Sequence, residues 1–111
     1  MSIIAFVPDL MDRSRVTAVA PDVRFAGSAD ALVELVERAT AGGQEAPGLA
    51  LVDLGRPGAL DAVRQLTTHG VATVGFASHV DRDVLAAGEA AGCGQVLPRS
   101  VFFRRLPDLL H

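Results

Sequence analysis

The sequence contains no tryptophan and no tyrosine, and its single cysteine, Cys93, excludes an internal disulfide. Five phenylalanines are its only aromatic residues, so it lacks the stacking platforms with which many proteins bind single-stranded nucleic acid. No apolar run approaches the roughly 20 residues that a membrane-spanning helix requires. These absences count against a disulfide scaffold, a membrane-spanning protein and a single-strand-binding protein.

Positive charge is also scarce. Ten basic residues, all of them arginine, oppose thirteen acidic residues, which gives a net charge of −3. The longest basic run is Arg104-Arg105, whereas a protein that neutralises nucleic-acid phosphates needs a larger cluster. The N-terminus has no basic region followed by a long apolar stretch and a cleavage site. We therefore expect a cytoplasmic protein that binds neither nucleic acid nor membranes.

Aliphatic side chains are abundant, and half of the 111 residues are hydrophobic. That length and composition predict one folded domain over residues 1–111. Short, uninterrupted apolar runs are typical of strands that are buried on both faces, as in a parallel sheet. Five such runs are the predicted strands: residues 3–7, 23–26, 48–52, 71–77 and 95–97.

Helical patterns separate these strands. The clearest covers residues 28–40, where apolar residues recur on one face behind Ser28, a suitable N-terminal cap. Further helices are predicted over residues 10–20, around residues 60–66, and from residue 81 to a glycine cap at Gly92. A last short helix over residues 100–106 is expected to kink or end near Pro107, because proline removes a helical hydrogen bond.

Strands that alternate with helices predict an α/β fold, a three-layer sandwich with helices on both faces of a parallel sheet. The expected strand order is 2-1-3-4-5, as in flavodoxin-like folds. Strands 1 and 3 are then neighbours, so Asp9 and Asp53, at their carboxyl ends, line one crevice. Two converging carboxylates repel each other, and Mg²⁺, which prefers oxygen ligands, relieves that repulsion. The alternative is that both residues cap the helices that follow them.

Three segments resemble one known family. Residues 49–58, LALVDLGRPG, are similar to the strand, the phosphoacceptor aspartate and the later Pro-Gly of the receiver domain of bacterial two-component response regulators. Residues 75–81, GFASHVD, resemble the fourth strand of that domain and its exit. Residues 89–99, EAAGCGQVLPR, resemble its turn into the fifth strand. The resemblance covers essentially the whole chain and implies the same receiver-like fold.

The resemblance implies that Asp53 is the phosphoacceptor candidate. It also implies that Asp9, Asp53 and the backbone carbonyl of Gly55 are the metal ligands. Pro8 stands where the family has a second metal-binding acid, so we expect Mg²⁺ to bind weakly or not at all.

Other positions of the response machinery depart from the family. Ala77 replaces the hydroxyl residue that senses the phosphoryl group, and Val96 replaces the aromatic switch residue. Ser78 lies one place after Ala77 and is a candidate contact of the phosphoryl group, although adjacent strand residues point to opposite faces. Arg99 stands at the position of the family's lysine and is the second candidate contact. Its forked guanidinium is also suited to pair with Asp53.

The candidate interface lies on the last helix. Met11 and the phenylalanines are predicted to pack in the core, but adjacent helical positions cannot both face it fully. One of Phe102 and Phe103 is therefore a candidate for exposure beside Arg104 and Arg105; the alternative, which the pattern favours, is that both pack in the core and that only the arginine pair is solvated. Receivers commonly use this region for partners, so the resemblance implies a protein partner such as a histidine kinase, a downstream signalling protein or a second copy.

These inferences favour an atypical receiver, or pseudo-receiver, that signals by protein–protein interaction rather than through phosphorylation at Asp53. It would not be an enzyme beyond accepting a phosphoryl group and hydrolysing it. One alternative is a phosphorylation-competent single-domain response regulator with Mg²⁺-dependent phosphoryl acceptance at Asp53. A further alternative is a flavodoxin-like domain that binds a small ligand.

Overall fold

A computed structural model describes residues 2–110 of the chain. Five strands alternate with five helices. The elements are β1 (Ile3–Phe6), α1 (Leu10–Val19), β2 (Arg24–Phe25), α2 (Ala29–Ala41), β3 (Leu49–Asp53), α3 (Ala59–Thr68), β4 (Ala72–Ala77), α4 (Arg82–Ala91), β5 (Gln95–Pro98) and α5 (Arg99–Leu109). No helix within residues 2–110 is long and apolar enough to cross a membrane.

The strands form one parallel sheet in the order β2-β1-β3-β4-β5, which confirms the predicted topology. The central strand β3 is buried at all five of its positions, as its uninterrupted apolar sequence predicts. Phe6 pairs with Val52, and Asp53 pairs with Phe76. The carboxyl ends of β1, β3 and β4 therefore meet at one edge of the sheet, and the crevice lies there.

Two hydrophobic cores cover the two faces of the sheet, which confirms the three-layer sandwich. On one face, Leu32 of α2 and Leu66 of α3 pack with the strand residues Ile4 and Val52. On the other face, α1 and α5 pack with the sheet through the buried residues Val16, Phe102 and Leu106.

The last helix is longer than predicted. The expectation that it would end or kink near Pro107 is wrong at its C-terminus, because α5 continues to Leu109 with Pro107 inside it. Pro107 is exposed, so its ring faces solvent. Leu106 is buried, Leu109 packs on the same core, and the N–H of Leu110 donates to the carbonyl of Leu106 at 3.2 Å. These contacts hold the last turn in spite of the hydrogen bond that proline removes.

The two adjacent phenylalanines of α5 are both buried, which agrees with core packing and removes Phe102 and Phe103 from the candidate interface. Phe102 stacks on Phe76 of β4 with ring centroids 4.3 Å apart, and Phe103 meets Phe76 edge-on at 5.4 Å. The guanidinium of Arg15, from α1, covers the Phe103 ring at 4.1 Å. Because α5 contacts the sheet on one side and α1 on another, its buried sector is wide enough for two consecutive residues. Arg104 is exposed, as predicted.

Candidate functional site

The phosphoacceptor candidate Asp53 is the last residue of β3 and is only 7% exposed. Its Oδ1 accepts a hydrogen bond from the N–H of Gly55 at 3.2 Å. Its Oδ2 accepts one from Nε of Arg56 at 3.1 Å, and the two side chains form an ion pair. Both carboxylate oxygens are therefore engaged by the loop that follows the strand.

Leu54 anchors that loop beneath the crevice. Its N–H donates to the carbonyl of Phe76 at 2.8 Å, and its side chain is buried against Gly75 of β4 and Gly88 of α4. A Cβ on Gly75 would lie 2.7 Å from Cδ1 of Leu54, and a Cβ on Gly88 would lie 2.6 Å from the same atom. Because these two glycines have no side chain, there is room for the side chain of Leu54, the residue next to Asp53.

Asp9, the predicted metal ligand of the first strand, caps α1. Its Oδ1 accepts a hydrogen bond from the N–H of Asp12 at 3.0 Å, which is the capping role given above as the alternative. That hydrogen bond is the main reason why the pKa of Asp9 lies below its ordinary value, and the nearby guanidiniums of Arg99 and Arg56 act in the same direction. The carboxylate of Asp9 is exposed at the mouth of the crevice.

The forked guanidinium of Arg99 suggested a pair with Asp53, but Arg99 does not form that pair. It begins α5, and its Nη2 donates to Oδ1 of Asp12 on α1. The pairing follows from the packing of α1 beside α5, since Asp12 lies on the inward side of α1 and is only 1% exposed. The hydrogen bond to Asp12 raises the pKa of Arg99 above its ordinary value, and the charges of Asp53 and Asp9 add to that effect.

Asp12 is the site residue that the sequence analysis missed. Its Oδ2 is buried and has no hydrogen-bond partner in the described part of the chain. A signal was present, because Asp12 precedes the buried Val16 by four residues and so shares its helical face. An acidic residue on the apolar face of a predicted helix requires a buried partner.

The remaining predicted positions lie at the end of β4, in the loop that follows it, and in β5. Ala77 ends β4 and is buried, and its methyl side chain has no hydroxyl group. Ser78 lies beyond the strand, where its Oγ accepts a hydrogen bond from the N–H of Val80 at 3.5 Å. Val96 is half-buried in β5 and packs on the core that lies between the sheet and α4, against Gly88. The structure thus leaves the sensing and switch positions with small aliphatic side chains.

These residues fit a divalent cation poorly while Arg56 is paired with Asp53. Mg²⁺ needs oxygen ligands in near-octahedral geometry. Oδ1 of Asp9 accepts from the helix, both oxygens of Asp53 are engaged, and a guanidinium lies against Oδ2 of Asp53. No third His, Cys, Asp or Glu residue within residues 2–110 joins Asp9 and Asp53 in a metal-binding group.

One open cavity lies away from the crevice, and a second borders it at Arg56. One of about 490 Å³ lies at the opposite edge of the sheet, so a small ligand held there would be remote from Asp9 and Asp53. Its lining comprises Ser2, Ile3, residues 19–23 and Leu110. A shallower cavity of about 290 Å³ adjoins Arg56, between the β3–α3 loop and Arg64.

The start of α1 exposes apolar side chains beside the crevice. Leu10 is 76% exposed and Met11 is 79% exposed, so the prediction that Met11 packs in the core is wrong. The reason is the orientation of α1, which buries only Asp12 and Val16. Val80, in the loop after β4, is also exposed.

Comparison with solved structures shows that the chain has the fold of response regulator receiver domains. It matches the phosphorylated cyanobacterial phytochrome response regulator RcpA with a TM-score of 0.81 and 10% identity, covering 97% of this chain and 89% of that one. It matches the receiver domain of NtrX from Brucella abortus with a TM-score of 0.79 and 16% identity, covering 98% and 94%. It matches the Mn²⁺-bound form of the response regulator Rcp1 with a TM-score of 0.75 and 13% identity, covering 97% and 90%.

In sequence, no protein-family model and no curated protein matches the chain. The predicted resemblance to the receiver domain is thus confirmed at the level of the fold. Because one fold supports many activities, the fold does not determine the function, which depends on the residues of the site.

Proposed function

We propose that this chain is an atypical receiver-like signalling domain that acts by binding a protein partner and does not depend on phosphorylation of Asp53. The observation that carries the proposal is the engagement of both Asp53 oxygens, above all the ion pair between Oδ2 and Arg56. The domain would not be an enzyme, and Mg²⁺ would bind weakly or not at all.

The chemistry of phosphoryl transfer supports this proposal. Attack on a phosphoryl donor requires a free carboxylate oxygen, aligned with the phosphorus and assisted by a cation that neutralises the developing charge. At Asp53 that attack would first have to break the hydrogen bond from Arg56. A transferred phosphoryl group would then find no hydroxyl on Ala77 and no aromatic ring on Val96 to respond to it.

The surface formed by α1 and α5 supports a protein partner. Leu10 and Met11 are exposed, and Arg15, Arg104 and Arg105 are exposed and form no salt bridge with residues 2–110. Methionine and arginine are enriched in protein interfaces, where they provide apolar contact area and several hydrogen-bond donors. The predicted interface therefore shifts from the buried Phe102 and Phe103 to these residues.

The charge of the two helix layers indicates an acidic partner. Helices α1 and α5 carry five arginines and two aspartates, whereas α2, α3 and α4 carry six acidic residues and three arginines. An acidic surface on a histidine kinase, a downstream protein or a second copy would be attracted to the α1/α5 side.

Two measurements test the proposal. Amide NMR spectra with Mg²⁺ and beryllofluoride, a phosphoryl mimic, should show no large shifts around Asp9, Asp53 and Arg99. Large shifts in the wild type that vanish in Asp53→Asn would instead establish the phosphorylation-competent regulator.

Affinity capture from source cells tests the partner surface. The Asp53→Asn variant should retain the partner of the wild type, and Arg104→Glu/Arg105→Glu should lose it. Arg38→Glu/Arg64→Glu, on the opposite layer, is the matched charge control and should retain it. Loss of the partner in Asp53→Asn alone would contradict the proposal.

A further inference from the structure

We propose that the guanidinium groups of Arg56 and Arg99 together take the place of a divalent cation in this crevice. Arg56 neutralises Asp53, and Arg99 neutralises Asp12. The inference shares the Asp53–Arg56 ion pair with the proposed function and so rests on it in part, whereas partner binding itself requires nothing of the crevice chemistry and is tested separately.

Burial determines which carboxylates need such a partner. Asp53 is 7% exposed and Asp12 is 1% exposed, and a buried carboxylate is stable only when it is paired and hydrogen-bonded. Each of these two residues has its own arginine. Asp9 is exposed and caps α1, so water and the helix satisfy it.

The charges explain why a cation would not be retained. Two guanidiniums provide the same charge as one Mg²⁺, and arginine stays protonated at every accessible pH. A cation near Asp9 and Asp53 would have to displace Arg56 from Oδ2 and would be repelled by both guanidiniums. Internal neutralisation thus replaces the ion that two converging acids would otherwise attract.

The two arginines differ in how firmly they are held. Arg99 pairs with a buried aspartate from another helix, and its guanidinium lies 5.2 Å from the Phe103 ring centroid. Arg56 belongs to the loop that follows Asp53, its side chain is 41% exposed, and it borders the shallow cavity next to Arg64. Arg56 is therefore the residue whose removal frees an oxygen of Asp53.

Titration with Mn²⁺, whose paramagnetism broadens nearby amide signals, tests the inference on the wild type, Arg56→Ala and Arg64→Ala. Arg56→Ala should bind Mn²⁺ about tenfold more tightly than the wild type, because one repelling unit charge a few ångströms away accounts for at least that factor. The broadening should centre on Asp9, Asp53 and Gly55. Arg64→Ala, which removes an arginine paired with the exposed Asp61, should behave like the wild type.

Thermal unfolding provides a second readout. Arg56→Ala leaves the buried Asp53 without its ion-pair partner, so it should unfold at a lower temperature than the wild type, and Mn²⁺ should restore part of the loss. Arg56→Gln, which keeps most of the side-chain volume, replaces Arg56→Ala if that variant does not fold.

Mn²⁺ binding to the wild type as tight as to Arg56→Ala, or no gain in either Arg56 variant, would overturn the inference. Either result leaves the proposed partner binding to be judged by the capture experiment with Asp53→Asn.

Discussion

Arg99 at the start of α5 donates a hydrogen bond to Asp12, which lies 87 residues earlier on α1, and so joins the two helices that cover one face of the sheet. The resemblance to receiver domains implies that the residue at this position contacts the phosphoryl group. Here the guanidinium is directed to a buried carboxylate of the neighbouring helix. The same side chain thus serves the packing of α1 against α5.

Removal of Arg99 should destabilise the fold. Arg99→Ala leaves Asp12 as an unpaired buried carboxylate, which costs about 2 kcal/mol, less than a fully buried pair because the Arg99 side chain is 43% exposed. Urea unfolding of the single variants and of Asp12→Ala/Arg99→Ala should show that the double variant loses less than the sum. Arg38→Ala is the control, since the exposed Glu34–Arg38 pair contributes only about 0.5 kcal/mol. Strict additivity would contradict a direct interaction.

The cap at Asp9 predicts a pH dependence of stability. Hydrogen bonding lowers the pKa of Asp9 below its ordinary value of 3.8, so the ionised form stabilises the folded state. That contribution is complete above 3.8 and is lost as the pH falls through the lower pKa of the folded state. The wild type should therefore lose stability relative to Asp9→Asn, which caps without titrating, when unfolding is measured from pH 6 down to pH 3. A gain in the stability of the wild type relative to Asp9→Asn at low pH would contradict this prediction.

The contact between Gly75 and Leu54 should be intolerant of a methyl group. Gly75→Ala would bring a Cβ within 3 Å of three atoms of the Leu54 side chain, and overpacking of this kind costs about 1–3 kcal/mol. Chemical denaturation should show that loss, and amide shifts should extend to Asp53 because Leu54 adjoins it. Gly27→Ala is the matched control, since a Cβ there meets nothing within 4 Å. Equal effects of the two variants would refute the packing argument.

The single cysteine should react slowly in the folded protein. Burial raises the pKa of the Cys93 thiol to about 11, so little of the nucleophilic thiolate is present near neutral pH. A disulfide reagent at pH 8 should modify Cys93 at least about tenfold more slowly in buffer than in denaturant. Similar rates under the two conditions would show that the thiol is accessible.

The sequence alone determined the fold and the position of the crevice. The strands and helices could be predicted from local patterns. An uninterrupted apolar run such as residues 48–52 indicates a buried strand, and an amphipathic run such as residues 28–40 indicates a helix. The handedness and order of parallel strands then bring Asp9 and Asp53 to one edge without knowledge of any side-chain contact.

The tertiary structure alone decided which side chains meet there. Arg99 pairs with Asp12. Phe102 and Phe103 are both buried, and α5 continues through Pro107. All three outcomes arise because α1 and α5 pack side by side on the sheet. Those outcomes depend on the distance and rotation between helices that are remote in the chain, and local periodicity carries no information on either. The partner of each charged group is set by that packing, and with it the chemistry that the crevice can perform.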